Sequence, residues 1–222
     1  MATPRVLLSW SSGKDSAWSL HVLRQQGEVE VVGLLTSLNA GASRVAMHAV
    51  REELLDGQAA ALALPVWKVP LPWPCSNAEY EALMTGVFDR ARSEGIDAIA
   101  YGDLFLEDVR AYREARHAGT GVAARFPLWG MQTAALARSM VAGGLQATLT
   151  CVDPKQLPAA FAGRAFDDAL LDALPASVDA CGENGEFHTF VHAGPMFAAP
   201  LAVVRGEIVE RDGFVFADLL PG

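Results

Sequence analysis

The first part of the chain restricts the fold most, because a strand, a loop of small residues and a helix follow one another directly. An apolar run over 6–8 leads into Ser9-Trp10-Ser11-Ser12-Gly13-Lys14-Asp15-Ser16, and helical spacing of apolar residues begins at Ala17. The N–H groups at the start of a helix have no intrahelical partners and carry partial positive charge, so they bind anions such as phosphate. The segment therefore predicts a phosphate-binding loop, although an ordinary capped helix start also fits these residues.

The spacing of this loop excludes the Walker A motif, which needs a glycine five residues before the Gly-Lys pair and Ser or Thr after it. Leu8 occupies the first position, and Asp15 follows Lys14. The order instead resembles the PP-loop of the ATP pyrophosphatases, which usually reads Ser-Gly-Gly-x-Asp-Ser. Ser12 stands where that pattern has its first glycine, so Ser12 must keep a negative φ or tolerate strain.

Downstream of the loop, apolar runs alternate with segments of helical spacing. This alternation predicts an α/β fold: a parallel five-stranded, Rossmann-like sheet with helices on both faces. Ligands bind beyond the carboxyl ends of such strands, so we expect Ser11–Ser16, Thr36–Asn39 and Gly102-Asp103 to meet in one pocket. The expected strands are 29–35, 66–69, 97–101 and 145–152 after the first, and the expected helices are 45–64, 77–93, 106–118 and 132–141.

The last third of the chain differs in character. Proline and glycine become frequent beyond residue 154, and Asp212-Gly213 separates two alternating apolar runs, which is a strong hairpin signal. We predict a PP-loop ATP-binding domain over 1–154 and a small α+β, substrate-binding C-terminal lobe over 155–222. A boundary near Phe126 is the alternative.

Composition limits the class of protein. The chain has 222 residues, is 51% hydrophobic and carries a net charge of −9, which disfavours binding to a nucleic acid backbone. The three cysteines form no C-x-x-C pair, which indicates a reducing compartment without disulfides or structural zinc. No signal peptide and no apolar run of membrane-spanning length is visible. We therefore expect a cytoplasmic protein that binds neither nucleic acid nor membrane.

A second polar segment lies near the C-terminus, at Cys181-Gly182-Glu183-Asn184-Gly185-Glu186-Phe187-His188-Thr189. Its two glycines favour an extended loop, and its Glu and His side chains can transfer protons, form hydrogen bonds or ligate a metal. Cys181 with His188 is a poor match to a zinc site. A solvated polar turn remains the alternative interpretation.

Taken together, several segments resemble the diphthine–ammonia ligase family, a branch of the PP-loop ATP pyrophosphatases. They keep the family's order over nearly the whole chain, and the segment near the C-terminus is the most specific of them. The sequence departs from the family at Ser12 and at Arg116-His117, where cysteine is common. The segments are Ser11–Ser16, Met47-His48, Tyr101-Gly102-Asp103 with Arg110, Pro127-Leu128-Trp129, Gly163-Arg164 and Gly182–Thr189.

This resemblance implies an ATP-dependent, AMP- and pyrophosphate-forming amide ligase. Such an enzyme adenylates a carboxylate and then transfers ammonia to it. The implied cofactors are ATP and Mg²⁺, and the implied acceptor is a carboxylate-bearing small molecule or protein side chain. The identity of the acceptor, the source of ammonia and the oligomeric state, including a homodimer, stay open.

The resemblance also assigns roles to residues. Asp15 could instead be a plain helix cap, His48 could simply pack, and Trp129 could belong to the core. The implied catalytic residues are Lys14, Asp15, Asp103, Glu183, Glu186 and His188, with Asp15 and Asp103 as Mg²⁺ ligands. The implied nucleotide-binding residues are Ser9, Ser11, Ser12, Gly13, Lys14, Asp15, Ser16, Thr36, His48 and Gly102. The implied substrate-binding residues are Arg110, Trp129, Glu183, Asn184, Glu186 and His188.

Two other functions stay open at this point. One is a different PP-loop chemistry on a small molecule, such as thiolation or nucleotide hydrolysis, and the other is a non-enzymatic adenine-nucleotide sensor. The segment Gly182–Thr189 favours chemistry, because a sensor has little need of a second polar constellation. The ligase interpretation requires that this segment fold over the phosphate loop.

Overall fold

Two sheets organise the chain in a computed structural model that describes residues 2–39, 44–45 and 50–222. The first sheet has five parallel strands in the order β4-β2-β1-β5-β6, and the short strand β3 pairs antiparallel with the end of β2. This confirms the predicted α/β class with a parallel five-stranded sheet. Its strands are β1 (Arg5–Ser9), β2 (Glu30–Asn39), β3 (Arg44–Val45), β4 (Val66–Leu71), β5 (Ala98–Ala100) and β6 (Ala123–Arg125).

The helices around this sheet begin and end at local signals. Gly27 ends the first helix with a φ of 64°, as expected of a glycine C-cap. The third helix begins as predicted, but Ser76 is its cap, in a reciprocal capping box with Glu79. The helices are α1 (Lys14–Gln26), α2 (Glu52–Leu62), α3 (Asn77–Ser93), α4 (Glu107–His117) and α5 (Thr133–Ala142).

The second sheet is antiparallel and small. It consists of β7 (Gln146–Val152), β8 (Phe187–Ala193), β9 (Val203–Arg211) and β10 (Phe214–Pro221), in the order β8-β7-β10-β9. A 3₁₀ turn (Ala159–Phe161) and helix α6 (Asp168–Ala173) lie between β7 and β8. Asp212 and Gly213 both have positive φ, at 52° and 80°, so the predicted hairpin turn is confirmed.

The strand predicted over 145–152 was wrongly placed in the parallel sheet. It pairs with β8 and β10, and the fifth parallel strand is β6. Sequence periodicity identifies a buried strand without identifying its partner, and the three residues of β6 are too few to give a pattern. A boundary at residue 154 stays a prediction, and the pairing of β7 favours the alternative near Phe126.

The two sheets share one hydrophobic core. Leu8 of β1, Leu20 of α1 and Leu55 of α2 belong to the same buried cluster as Phe187 and Val215 of the second sheet. A separate cluster lies on the other face of the parallel sheet, under α3. The second sheet is therefore packed against the α1 and α2 side, where it can reach the loop that precedes α1. Every helix within residues 2–39, 44–45 and 50–222 is too short or too polar to cross a membrane.

Candidate functional site

The predicted phosphate loop lies between β1 and α1 in a strained conformation. Ser12 has a φ of 69°, so the strain foreseen for a serine at this position is present and tolerated. The carbonyl of Ser12 accepts hydrogen bonds from Val191 N (3.0 Å) and Gln58 Nε2 (3.1 Å), which hold the backbone there. The Ser12 hydroxyl is fully buried and has no hydrogen-bond partner within the described residues.

We predict that Ser12→Gly raises the free energy of unfolding by about 1–2 kcal/mol, because glycine adopts this conformation without strain. The change also removes a buried hydroxyl that lacks a partner. Urea unfolding followed by tryptophan fluorescence measures the effect. Ser37→Gly, in the extended strand β2, is the control and is expected to destabilise. A Ser12→Gly protein less stable than the wild type would contradict the prediction.

The loop also approaches the end of β5 closely. A Cβ atom on Gly102 would lie 3.0 Å from the backbone carbon of Asp15, so only glycine fits without a shift. Ser16 Oγ donates to the Gly13 carbonyl at 2.9 Å and lies 3.3 Å from Ser11 Oγ. The predicted meeting of the phosphate loop with Gly102-Asp103 is therefore present.

A cavity of about 200 Å³ opens at the carboxyl ends of β1, β2 and β5. Thr36 was predicted to face the nucleotide, but its buried hydroxyl donates to the Trp10 carbonyl at 2.8 Å. Its neighbours Leu35 and Ser37 line the cavity in its place, because successive side chains of a strand point to opposite faces. The cavity is lined by Ser9, Trp10, Ser11, Leu35, Ser37, Val45, Tyr80, Met84, Tyr101 and Arg113.

The C-terminal segment folds directly over the phosphate loop. Lys14 N donates to Thr189 Oγ1 at 3.0 Å, and a Cβ atom on Gly13 would lie 3.2 Å from the Thr189 carbonyl. The Lys14 ammonium donates to the Cys181 carbonyl and lies 5.4 Å from the centre of the Phe187 ring. The segment Gly182–Thr189 therefore folds over the phosphate loop, as the ligase interpretation requires.

Lys14 and Asp15 form a partly buried ion pair within this contact, in which the Asp15 side chain is 27% exposed. Lys14 is 2% exposed, and its Nζ lies 2.8 Å from Asp15 Oδ2. Burial alone would lower the pKa of Lys14, but the neighbouring carboxylate outweighs it and raises that pKa, so the amine stays charged. Burial raises the pKa of Asp15 despite the ammonium beside it. The Lys14 side chain thus joins the phosphate loop to the C-terminal segment instead of pointing into solvent.

Glu183 connects the same segment to the end of β5. Its Oε1 accepts a hydrogen bond from Leu104 N at 2.7 Å. Burial raises the pKa of Glu183 to about 7, and the carboxylates of Asp15 and Asp103 add to the shift. Glu183 can therefore exchange a proton near neutral pH.

Glu186 organises the segment itself. It is 1% exposed and accepts hydrogen bonds from Asp179 N (2.9 Å), Asn184 N (3.0 Å) and Asn184 Nδ2 (3.1 Å). These donors occupy both of its carboxylate oxygens. Glu186 and Asn184 therefore hold the loop in shape, and their contact with substrate stays a prediction.

The His188 side chain lies on the face of β8 opposite to the side chains of Phe187 and Thr189. Phe187 and Thr189 contact Lys14, so the His188 side chain between them points to the opposite face of β8. Burial lowers the pKa of His188 to about 4, with the Lys14 ammonium adding to the effect, so the imidazole is neutral at pH 7.

The two predicted magnesium ligands do not fit together as a metal site. Arg113 donates to both oxygens of Asp103, at 2.5 and 3.1 Å, whereas Asp15 Oδ1 is buried without a hydrogen-bond partner among the described residues. Only Asp15 thus presents a free carboxylate oxygen. Within the part of the chain that the structure describes, no group of three or more His, Cys, Asp or Glu residues is arranged to hold a metal ion.

The remaining predicted residues lie at the edge of the site. The Arg110 guanidinium stacks between the rings of Trp129 (4.7 Å) and Phe126 (5.0 Å) and pairs with Glu114 at 2.7 Å. None of these residues lines the cavity. His48 lies outside the described residues.

Sequence reasoning missed Tyr80, Tyr101 and Arg113 as cavity residues. Arg113 lies in the expected helix 106–118, whose mixed charges are typical of a solvated helix face, and Tyr101 belongs to the sequence prediction only as part of the segment Tyr101-Gly102-Asp103. An aromatic directly before Gly102-Asp103 at the end of a strand was the one available signal, because ligands bind at that edge of a parallel sheet.

Two models of protein families match the chain, and the matched ranges include strands of both sheets. The family model described as the diphthamide synthase N-terminal domain matches residues 4–121, and the model of the diphthamide synthase C-terminal domain matches 132–217. No curated protein is significantly similar to the chain. The matched ranges contain the phosphate loop and the segment that folds over it. The chain therefore belongs to the diphthamide synthase family, which implies an ATP-utilising enzyme of the PP-loop type.

Proposed function

We propose that the protein is an ATP-dependent, AMP-forming ligase that joins ammonia to a carboxylate. The observation that carries the proposal is the contact between the phosphate loop and the C-terminal segment through Lys14, Thr189 and Cys181. This contact places a carboxyl group with a pKa of about 7, that of Glu183, beside the loop expected to hold the nucleotide.

The proposed reaction has two steps. An oxygen of the acceptor carboxylate attacks the α-phosphorus of ATP, and the bond to the β-phosphate oxygen breaks to release pyrophosphate. Ammonia then attacks the acyl carbon, a C–N bond forms, and the C–O bond to AMP breaks. The nitrogen loses one proton in this step, and the ionised Glu183 is the group that accepts it.

Each part of the loop has a role in this scheme. Lys14 N is already bonded to Thr189, so the other N–H groups at the start of α1 stabilise the negative charge on the departing pyrophosphate. Gly13 and Gly102 permit the close packing that shapes the loop. Asp15 Oδ1 has no hydrogen-bond partner among the described residues but is buried, and both oxygens of Asp103 pair with Arg113, so no step is assigned to a magnesium ion.

Thiolation, the first alternative, receives no support from the cysteines. Cys151 and Cys181 are buried, and burial raises the pKa of each thiol to about 12, whereas the reactive form of cysteine is the thiolate. Cys75 is half-buried and lies outside the contact between the two segments. The nucleotide-sensor alternative is tested directly by turnover.

The test is to incubate the protein with ATP, ¹⁵N-ammonium and fractions of cell extract, and to measure AMP, pyrophosphate and ¹⁵N-amide together. We expect one AMP and one pyrophosphate for each ¹⁵N-amide in at least one fraction. Cysteine-free protein, with Cys75, Cys151 and Cys181 changed to Ser, is the control and should retain the activity. Release of ADP, amide formation without AMP, or nucleotide binding without AMP in every fraction would reject the ligase.

A further inference from the structure

Arg113 lies on α4 but faces the cavity rather than the solvent. Its side chain is 27% exposed, and it lines the cavity together with Ser9, Ser11 and Tyr101. The neighbouring arginine on the same helix, Arg110, stacks on Trp129 and Phe126 and is 37% exposed. The positive charge at the cavity wall therefore comes from Arg113.

The guanidinium of Arg113 is fixed from two sides. Its Nε and Nη2 donate to the two oxygens of Asp103, and its central carbon lies 4.2 Å from the centre of the Tyr101 ring. Planar pairing with a carboxylate and stacking on an aromatic ring both hold a guanidinium in one orientation. A cation that is fixed before a ligand arrives loses little freedom when the ligand binds.

The Tyr101 ring is itself held in place by a hydrogen bond between its hydroxyl and His117. His117 Nδ1 lies 2.7 Å from the Val122 carbonyl, which can only accept, so Nδ1 carries the proton. His117 Nε2 must then accept from the Tyr101 hydroxyl at 2.9 Å. His117 thus holds the Tyr101 ring on which the Arg113 guanidinium stacks.

Arg113 keeps donors for a ligand. A guanidinium has five N–H groups, and Asp103 takes two of them. Arg113 Nη1 makes no hydrogen bond to any described residue. Burial would lower the pKa of Arg113, but the Asp103 carboxylate outweighs this and raises it, so the charge is permanent.

The surroundings indicate which ligand group this cation meets. Leu35, Met84 and Tyr80 give one part of the cavity an apolar wall, which suits a nucleobase. Ser9 and Ser11 lead from the other part into the phosphate loop. A volume of about 200 Å³ is smaller than the roughly 300–1,000 Å³ of most ligand pockets, so a nucleotide bound here would extend beyond the cavity. Arg113 lines the same cavity as these apolar and hydroxyl side chains and is the cation that a charged part of a ligand would meet there.

We infer that Arg113 binds the phosphate end of the nucleotide, and that Asp103 is a positioning residue for Arg113 and not a metal ligand. The inference rests on the proposed function in one respect, the identity of the ligand as an adenine nucleotide. It changes the role of Asp103, which the resemblance had assigned to Mg²⁺, because both of its oxygens are already occupied.

The test compares the binding of ATP and adenosine by titration calorimetry. Arg113→Gln is expected to weaken ATP binding 10- to 100-fold, the worth of a charge-assisted hydrogen bond, and to change adenosine binding less than threefold. The ATP affinity of Arg113→Lys should lie between those of the wild type and Arg113→Gln, because an ammonium keeps the charge but cannot pair with two oxygens in a planar fork. Arg116→Gln, on the same helix and paired with Glu81, is the matched control and should bind both ligands like the wild type.

Titrations with and without Mg²⁺ separate the two roles of Asp103. We expect Asp103→Asn to weaken ATP binding by a similar factor with Mg²⁺ and with EDTA, as a support of Arg113 would. An ATP affinity of Arg113→Gln equal to that of the wild type, or a loss in Asp103→Asn confined to Mg²⁺, would overturn the inference. Neither result would contradict the proposed ligase activity, because that activity is tested separately by AMP and amide formation in the wild type.

Discussion

Replacement of Lys14 by methionine is expected to lower the free energy of unfolding by about 1–3 kcal/mol, less than the ~3–5 kcal/mol lost with one partner of a fully buried ion pair, because the Asp15 side chain is 27% exposed. The change leaves the partly buried Asp15 carboxylate without its cation, and its buried Oδ1 already has no partner among the described residues. It also removes the donor to the Cys181 carbonyl, which fastens the C-terminal segment to the phosphate loop. Urea unfolding at pH 7 measures the loss.

Two further variants test whether loss of the ion pair causes the lower stability of Lys14→Met. The double variant Lys14→Met/Asp15→Asn should recover a large part of the loss, because no buried charge is then left unpaired. Lys155→Met, at an exposed lysine, should change the free energy of unfolding by no more than about 0.5 kcal/mol. The interpretation of Lys14 as the link between the two segments is wrong if Lys14→Met is as stable as the wild type.

Glu183→Gln is expected to slow amide formation by about 10²- to 10⁴-fold, the usual contribution of a positioned general base. The pKa of Glu183 is raised to about 7, so wild-type activity should rise as the pH passes through 7 and the carboxylate ionises. The variant should lose both the rate and this inflection. Initial rates of ¹⁵N-amide formation between pH 5.5 and 8.5 provide the measurement.

The raised pKa of Glu183 also predicts how the free energy of unfolding depends on pH. The folded protein holds the Glu183 proton up to about pH 7, whereas the unfolded chain releases it near the ordinary value of 4.5. Between these pH values the folded state binds more protons, so this group's contribution to stability falls as the pH rises. Glu183→Gln should flatten that dependence, and Glu210→Gln, at an exposed position, should leave it unchanged. A Glu183→Gln profile with the wild-type slope would show that Glu183 does not titrate in this range.

Local sequence signals predicted much of the fold. The apolar run followed by Ser, Gly, Lys and Asp gave the strand, loop and helix at the start of the chain, because each of these elements depends on near neighbours. Asp212-Gly213 gave the hairpin for the same reason. The alternation of strands and helices gave the parallel sheet, because parallel strands require crossover connections.

Longer-range features could not be predicted in this way. The direction of Thr36 depends on the register of β2, and a shift of one residue exchanges it with Ser37. The membership of β7 in the second sheet depends on β8 and β10, which lie later in the chain. The role of Arg113 depends on Asp103 and Tyr101, which belong to another element.

The sequence by itself determined that a phosphate loop begins the chain and that a second polar segment lies near its other end. Both follow from residue types that act over a few positions, such as glycine in a loop and N–H groups at a helix start. Only the tertiary structure decided that the two are in contact, through Lys14, Thr189 and Cys181. Contacts across about 170 residues are set by core packing, which joins α1 to β8, and no local pattern encodes them.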